Sequence, residues 1–321
     1  MKQQEAIRTV ETTIMDEHYL QLKKYYLDYI VCYQAIEEFF YYYIQENADT
    51  RNIKNVKSFN KLSKIFLEVA EKNETYHRDT LKVISYLIGA INRDYMIHEF
   101  TNDCLESNKK NNWIYELMAN EAKVKRISNS AKELLNKLTK SKIKHVFKMK
   151  IRHFERSNYS SSFSKDKLDG EAYNDSKQLK TILDDNYFHL VSLYNTINKN
   201  LFVVIKDINR KYKIFDDSDL NGFKNRAIGV MYELLISKKG SDGVLIQDTI
   251  NNLGPIKNSI VDIYRDRNYW IHYFTIDFYN KHNKLFSDCL TSEELLECIN
   301  SIRSSIVFAD RFNVALANLK I

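Results

Sequence analysis

The stretch LKKYYLDYIVCYQAIEEFFYYY, residues 22–43, has apolar and aromatic side chains at steps of three and four residues. That spacing places these side chains on one face of a helix. The face consists of Leu22, Tyr26, Tyr29, Ile30, Tyr33, Ile36, Phe40 and Tyr43. The stretch therefore predicts a long amphipathic helix whose apolar face is buried in a core.

Three further segments show the same spacing, one that closes the first half of the chain and two that open and close the second half. The last of them is introduced by the capping box Thr291-x-x-Glu294. Their apolar positions are Ile114, Leu117, Val124, Ile127, Ala131, Leu134 and Leu138; Leu190, Leu193, Tyr194, Ile197, Leu201, Val204 and Ile205; and Leu295, Cys298, Ile299, Ile302, Ile306 and Ala309. Seven glycines and one proline in 321 residues leave little of the turn chemistry that closely spaced strands need. We predict an all-α fold.

The order of these patterns indicates two similar helical bundles, since each half opens and closes with an amphipathic helix. We predict an N-terminal bundle at 1–142, a basic and then serine-rich connector at 143–178, and a C-terminal bundle at 179–321. An internal duplication is the simplest origin of such a repeat.

The composition is typical of a globular protein, with 44% hydrophobic and 28% charged residues. The apolar runs are shorter than the roughly 18–20 residues that span a bilayer. The first residues include acids and lack the apolar region of a secretory signal. We therefore predict a cytoplasmic protein with no membrane partner.

The four cysteines are scattered and form no C-x-x-C pair. A chain of this size has no need of disulfides, and a structural zinc site requires closely spaced ligand pairs. We predict reduced thiols in or near the core at Cys32, Cys104, Cys289 and Cys298. No cofactor and no metal site are expected.

The net charge of +6 is a mild excess that favours an anionic partner without identifying it. The basic residues concentrate in KLTKSKIKHVFKMKIRHFER, residues 137–156, which contains eight lysines and arginines and one acid. Two interpretations stay open. The segment is a solvated helix face or linker, or it contacts nucleic-acid phosphates while His145, Phe147 and Phe154 stack on bases.

A short phrase occurs once in each half: RDYMIH at residues 93–98 and RNYWIH at residues 267–272. Aligned over eight residues, RDYMIHEF and RNYWIHYF are identical at five positions, and Asp94 and Asn268 are isosteric. On a helix the second residue shares a face with the histidine, where it can hold the imidazole in one tautomer. Each arginine lies roughly 140° from its histidine, so convergence requires a long side chain, an irregular turn or a partner helix.

These two motifs in helical bundles resemble the signature of HEPN domains, which occur in many prokaryotic toxin, abortive-infection and CRISPR-associated RNases. The resemblance implies a metal-independent endoribonuclease whose site forms where two such domains meet, here within one chain as a pseudo-dimer. It implies catalytic roles for Arg93, His98, Arg267 and His272, with Asp94 and Asn268 as supporting polar residues. It also implies single-stranded RNA as substrate, an antitoxin or regulatory protein as partner, and a toxin or antiphage role; homodimer formation stays open.

Chemistry supports the same residues, because metal-free RNA cleavage needs a proton acceptor, a proton donor and charge stabilisation at phosphorus. Histidines suit the first two tasks and arginine forks suit the third. Phe100 and Phe274 stand where HEPN toxins with a nucleotidyltransferase antitoxin often have tyrosine, which speaks against that form of control. The alternative is a non-catalytic RNA- or protein-binding module in which the Arg/His motifs are structural.

Overall fold

The computed structural model describes residues 2–48, 58–107, 113–139, 175–236, 253–254, 256–282, 286 and 290–319. Within these ranges nearly all residues are helical and no strand occurs, which confirms the predicted all-α class. Among the same residues, no helix is both long enough and apolar enough to cross a membrane. The basic segment from residue 140 onward, the connector up to residue 174, and Cys289 lie outside the described residues.

The described residues form the following helices, given in chain order. They are α1 (Lys2–Asn47), α2 (Phe59–Lys72), α3 (Arg78–Ala90), α4 (Arg93–His98), α5 (Phe100–Ser107), α6 (Trp113–Thr139), α7 (Ser176–Tyr212), α8 (Asp217–Phe223), α9 (Ala227–Ile236), α10 (Ile256–Asn268), α11 (Phe274–His282) and α12 (Ser292–Ala317). A π-helical turn, Tyr269–Tyr273, joins α10 to α11. The four predicted amphipathic helices are thereby confirmed as α1, α6, α7 and α12.

Two compact units make up the described structure, and each combines most of one half with a short segment of the other. The first contains the described residues of Met1–Tyr95, Ser107–Phe154 and Ile271–Leu290; the second contains those of Met96–Glu106, Glu155–Trp270 and Thr291–Ile321. The predicted division at 1–142 and 179–321 keeps segments 96–106 and 271–290 in their own halves. In the structure, the described residues of each segment pack in the unit that contains the opening helix of the other half.

The core of the first unit is aromatic and centres on α1. The side chains of the predicted stripe are fully or almost fully buried, including Tyr26, Tyr33 and Phe40. Helix α2 contributes Phe66, whose ring stacks on that of Phe40 with a centroid distance of 4.5 Å. Each such ring stabilises the fold by roughly 1.5–3 kcal/mol through burial, so α1 is held in place mainly by its apolar face.

The core of the second unit lies between α7 and α12. Asp175 caps the start of helix α7, and its side chain accepts a hydrogen bond from the Lys177 amide at 2.9 Å. Helix α12 begins with the predicted capping box, in which Thr291 and Glu294 exchange hydrogen bonds of 3.2 and 2.7 Å. The buried side chains between these ends include Tyr187, Leu190, Tyr194, Ile197 and Leu201 of α7 and Ile299, Ile302 and Ala309 of α12.

The cysteines that the structure describes are free thiols, as predicted. Cys32 and Cys104 are buried, and Cys298 is partly buried. Burial raises the pKa of the Cys32 thiol to about 12, although the nearby Lys132 lowers it somewhat. This thiol therefore stays protonated and packs as a small apolar side chain.

Candidate active site

Arg93 is positioned by an interruption between two helices. Asn92, with φ of 40°, lies in the left-handed region that asparagine tolerates better than most residues, and it separates α3 from α4. Arg93 is consequently the first residue of α4. In the second half α10 continues without such a break, so Arg267 lies near the end of α10 and His272 lies in the π-helical turn.

The guanidinium of Arg93 forms hydrogen bonds within the first unit. Its Nε donates to the Tyr33 hydroxyl at 3.2 Å, and its Nη1 donates to Asp94 Oδ1 at 2.8 Å. Burial by itself lowers the pKa of Arg93, whereas Tyr33 and Glu37 raise it. The bond to Asp94 raises it further, and the net pKa lies above the ordinary arginine value. The group is therefore a permanent, oriented cation.

Glu37 connects Arg93 to His272. The Tyr33 hydroxyl, which accepts from Arg93, donates to Glu37 Oε1 at 3.0 Å, and Glu37 Oε2 lies 3.0 Å from His272 Nδ1. Burial raises the pKa of Tyr33, Arg93 lowers it and Glu37 raises it, with a net pKa well above the ordinary value. The phenol therefore stays protonated. The side chains of Glu37 and His272 are 7% and 15% exposed, so little water competes for their hydrogen bond.

The second unit brings together the other arginine and the other histidine. Arg267 Nη2 lies 3.4 Å from His98 Nδ1, and Arg267 Nη1 donates to Asn268 Oδ1 at 3.2 Å. Each unit thus contains the arginine of one motif and the histidine of the other. In the first unit Tyr33 and Glu37 join the pair, and in the second unit the pair is in direct contact.

The two histidines differ in which ring nitrogen carries the hydrogen when the ring is neutral. Arginine has only N–H donors, so His98 Nδ1 accepts the bond from Arg267 and the hydrogen of the neutral ring lies on Nε2. An ionised carboxylate only accepts, so His272 Nδ1 donates to Glu37 and the lone pair of the neutral ring lies on Nε2. The histidine environments are therefore not equivalent, although the motifs are.

Asp94 and Asn268 accept hydrogen bonds from the motif arginines. The sequence predicts instead that these two residues orient the imidazoles. Each accepts a bond from the guanidinium of the residue before it. The predicted contact assumed a regular helix from the second to the sixth residue of each motif. In the second half the π-helical turn changes the angular spacing, and in both halves the arginine is close enough to compete for the polar side chain.

The π-helical turn is anchored by buried polar groups of the second unit. Tyr187 donates to the Trp270 carbonyl at 2.8 Å, and Trp270 Nε1 donates to Ser305 Oγ at 2.9 Å. Asp266, one residue before Arg267, accepts from Ser305 at 3.0 Å and from Tyr194 at 2.6 Å. Burial raises the pKa of Tyr187, while Arg267 lowers it by less. These bonds fix the backbone from Asp266 to Trp270.

Replacement of Asp266 by alanine is expected to lower the free energy of unfolding by about 2–4 kcal/mol, because it leaves the buried hydroxyls of Tyr194 and Ser305 without their acceptor. Asp266→Asn keeps one acceptor oxygen and is expected to cost about half as much. Urea denaturation followed by circular dichroism measures both. Asp310→Ala, at an exposed position of α12, is the control and is expected to change little. Equal stability of Asp266→Ala and this control contradicts the anchoring role.

Two threonines of the site were missed by the sequence analysis. Thr275 donates through its amide and its hydroxyl to Gln34 Oε1, at 3.1 and 2.7 Å, in the first unit. In the second unit Asn195 Nδ2 donates to the Thr101 hydroxyl at 3.0 Å and to the Ile97 carbonyl at 3.1 Å. Both threonines lie three residues after the motif histidine. Extending the alignment to RDYMIHEFTND and RNYWIHYFTID reveals this identity and a further one at the last aspartate.

No family model, no curated protein and no solved structure matches this chain. Among the residues that the structure describes, no group of three or more His, Cys, Asp or Glu side chains is placed to hold a metal ion. The two Arg–His clusters are therefore the features from which we infer a function.

Proposed function

We propose that the chain is a metal-independent endoribonuclease in which the Arg93–His272 and Arg267–His98 clusters provide the catalytic groups. The observation that carries this proposal is the pairing itself: in each unit the arginine of one motif lies with the histidine of the other. A duplicated motif that served packing alone has no need to combine a guanidinium with an imidazole in both units. The resemblance to HEPN domains supports the same residues.

The reaction requires two proton transfers and one stabilised charge. A neutral imidazole takes the proton of the 2′-hydroxyl, the 2′-oxygen attacks phosphorus, and the bond from phosphorus to the 5′-oxygen breaks. The imidazolium of the second histidine protonates the leaving 5′-oxygen. The arginine forks offset the negative charge that grows on the phosphoryl oxygens. The products are then a 2′,3′-cyclic phosphate and a 5′-hydroxyl, and solvent restores the protons.

The burial of the first cluster favours a second candidate, a non-catalytic module that binds RNA or protein. The side chains of Arg93 and His272 are only 16% and 15% exposed, as expected of a polar network that fixes packing. In that case the motifs stabilise the fold and take no part in chemistry. The two candidates differ in whether RNA is cut.

End-labelled single-stranded RNA incubated with the full chain in excess chelator tests the proposal. We expect cleavage that persists in chelator and yields 2′,3′-cyclic phosphate and 5′-hydroxyl ends, because histidines and arginines perform every step. Mass analysis of the products identifies the ends. Cleavage that stops in chelator, or products with a 5′-phosphate, contradicts the mechanism. RNA binding without cleavage supports the non-catalytic module.

The biological part of the proposal is a toxin or an antiphage effector that acts on cellular RNA. It follows from the resemblance to HEPN domains together with the proposed activity. An antitoxin or regulatory protein is the partner that such an activity requires, because unrestrained RNA cleavage harms the cell that makes the enzyme.

A further inference from the structure

Glu37 is a buried carboxylate whose two oxygens serve different partners. Oε1 accepts from Tyr33 and Oε2 accepts from His272 Nδ1, both at 3.0 Å. Glu37 lies on α1 and His272 lies 235 residues later in the chain, so nothing in either sequence motif requires this contact. The imidazole is also oriented by the Tyr33 ring, which meets it edge-on at a centroid distance of 6.1 Å.

We propose that Glu37 is a positioning residue that holds His272 with its hydrogen on Nδ1, and so makes Nε2 of His272 the nitrogen that accepts the 2′-hydroxyl proton. This inference rests on the proposed ribonuclease function. It assigns the base to one histidine, which the two matching motifs leave undecided. His98 has the opposite arrangement, because the Nδ1 of its neutral ring accepts from Arg267. In the imidazolium that protonates the leaving 5′-oxygen, Nδ1 carries a hydrogen, so this form requires the Arg267 guanidinium to turn away from Nδ1.

The direction of the hydrogen bonds from Arg93 to Tyr33 and from Tyr33 to Glu37 follows from Arg93. Its guanidinium can only donate, so the Tyr33 oxygen accepts from Nε and the Tyr33 hydrogen is directed to Glu37. The second carboxylate oxygen is then available to the histidine hydrogen. The charges that face His272 in this network are Glu37 from α1 and, through Tyr33, Arg93 and Asp94 from α4. Tyr273, the next residue, places its ring 6.1 Å away.

Glu37→Gln is expected to reverse the hydrogen on His272. Tyr33 still needs an acceptor, so the single oxygen of the amide turns to Tyr33 and its NH₂ group turns to His272 Nδ1. Nδ1 then becomes an acceptor, and the ring hydrogen moves to Nε2, which can no longer take a proton from RNA. Glu37→Asp retains two acceptor oxygens and is expected to keep the hydrogen on Nδ1.

Nitrogen-15 NMR of the full chain with labelled histidine reads the position of this hydrogen without RNA. The His272 signals are assigned by their loss in His272→Ala and are compared at a pH at which the ring is neutral. Wild type and Glu37→Asp are expected to carry the hydrogen on Nδ1 and Glu37→Gln on Nε2. An unchanged hydrogen position in Glu37→Gln overturns the inference.

Kinetics provide the second measurement. Glu37→Gln is expected to lower kcat by roughly 10²- to 10⁴-fold with KM nearly unchanged, and Glu37→Asp to recover roughly tenfold or more of the loss. Glu46→Gln, at an exposed position of the same helix, is the control and is expected to behave as wild type. Equal losses of kcat in Glu37→Gln and Glu37→Asp overturn the positioning role. If the hydrogen reverses as expected but wild type cuts no RNA, the proposed function fails while the role of Glu37 in orienting His272 stands.

Discussion

Alanine at His98 or at His272 is expected to lower kcat for RNA cleavage by roughly 10²- to 10⁴-fold. One proton is accepted and one is donated in each turnover, so either histidine alone is insufficient. The double variant is expected to be no slower than the slower single variant, because residues that act in one reaction give strongly non-additive losses. Single-turnover cleavage of labelled RNA in excess chelator measures all three variants under the same conditions.

His189 provides the matched control for these substitutions. It is an exposed histidine on α7, and His189→Ala is expected to retain wild-type activity. Circular dichroism spectra and melting temperatures confirm that each variant is folded. If each single variant retains about half of the activity and only the double variant is inactive, the two clusters act independently, and the proposal that both histidines serve one reaction is wrong.

The periodic parts of the fold could be predicted from the sequence because burial leaves a direct pattern in it. Helix α1 is an example, since the predicted stripe from Leu22 to Tyr43 is the face that the structure buries. The start of α12 is another, because a capping box is a local interaction of Thr291 and Glu294. Such features depend on residues three or four positions apart, and a single sequence displays them.

The exchanged segments could not be predicted for a physical reason. An amphipathic pattern shows which face of a helix is buried but not which helix covers it. The described residues of segment 271–290 pack in the unit that contains α1, where Gln34 bonds to Thr275, and these two residues are 241 positions apart. The repeated order of opening and closing helices assigns this segment to its own half, because the repeat follows the chain and does not show which helices pack together.

The residues that complete the candidate site divide in the same way. Thr101 and Thr275 were within reach of the sequence, since the repeated phrase continues through them. Glu37 could not be predicted from the sequence, because it lies beside the apolar stripe of α1 and belongs to neither copy of the repeated phrase. The π-helical turn at Tyr269–Tyr273 was also beyond reach, as it depends on Tyr187 and other buried groups distant in sequence.

Replacement of Arg267 by lysine is expected to lower kcat/KM by roughly 10²-fold, and replacement by alanine by roughly 10²- to 10³-fold. Lysine keeps the charge but has a single ammonium group. It lacks the fork with which Arg267 bonds to Asn268 through Nη1 and contacts His98 through Nη2. The phosphoryl charge is then met by a less oriented cation, and His98 loses the donor that fixes its ring.

Arg265 allows a sharp comparison, because it lies on α10 two residues before Arg267 and is exposed. Arg265→Lys and Arg265→Ala are expected to leave kcat/KM within about twofold of wild type. The ratio of kcat/KM between Arg267→Lys and Arg267→Ala then shows how much of the effect comes from the positive charge and how much from the geometry of the guanidinium. Full activity of Arg267→Lys means that a positive charge alone is sufficient and that the paired donors have no catalytic role. If Arg267 is catalytic, kcat/KM falls in variants whose melting temperature is unchanged. If kcat/KM falls only in Arg267→Ala and this variant is also unfolded, the role of Arg267 is structural.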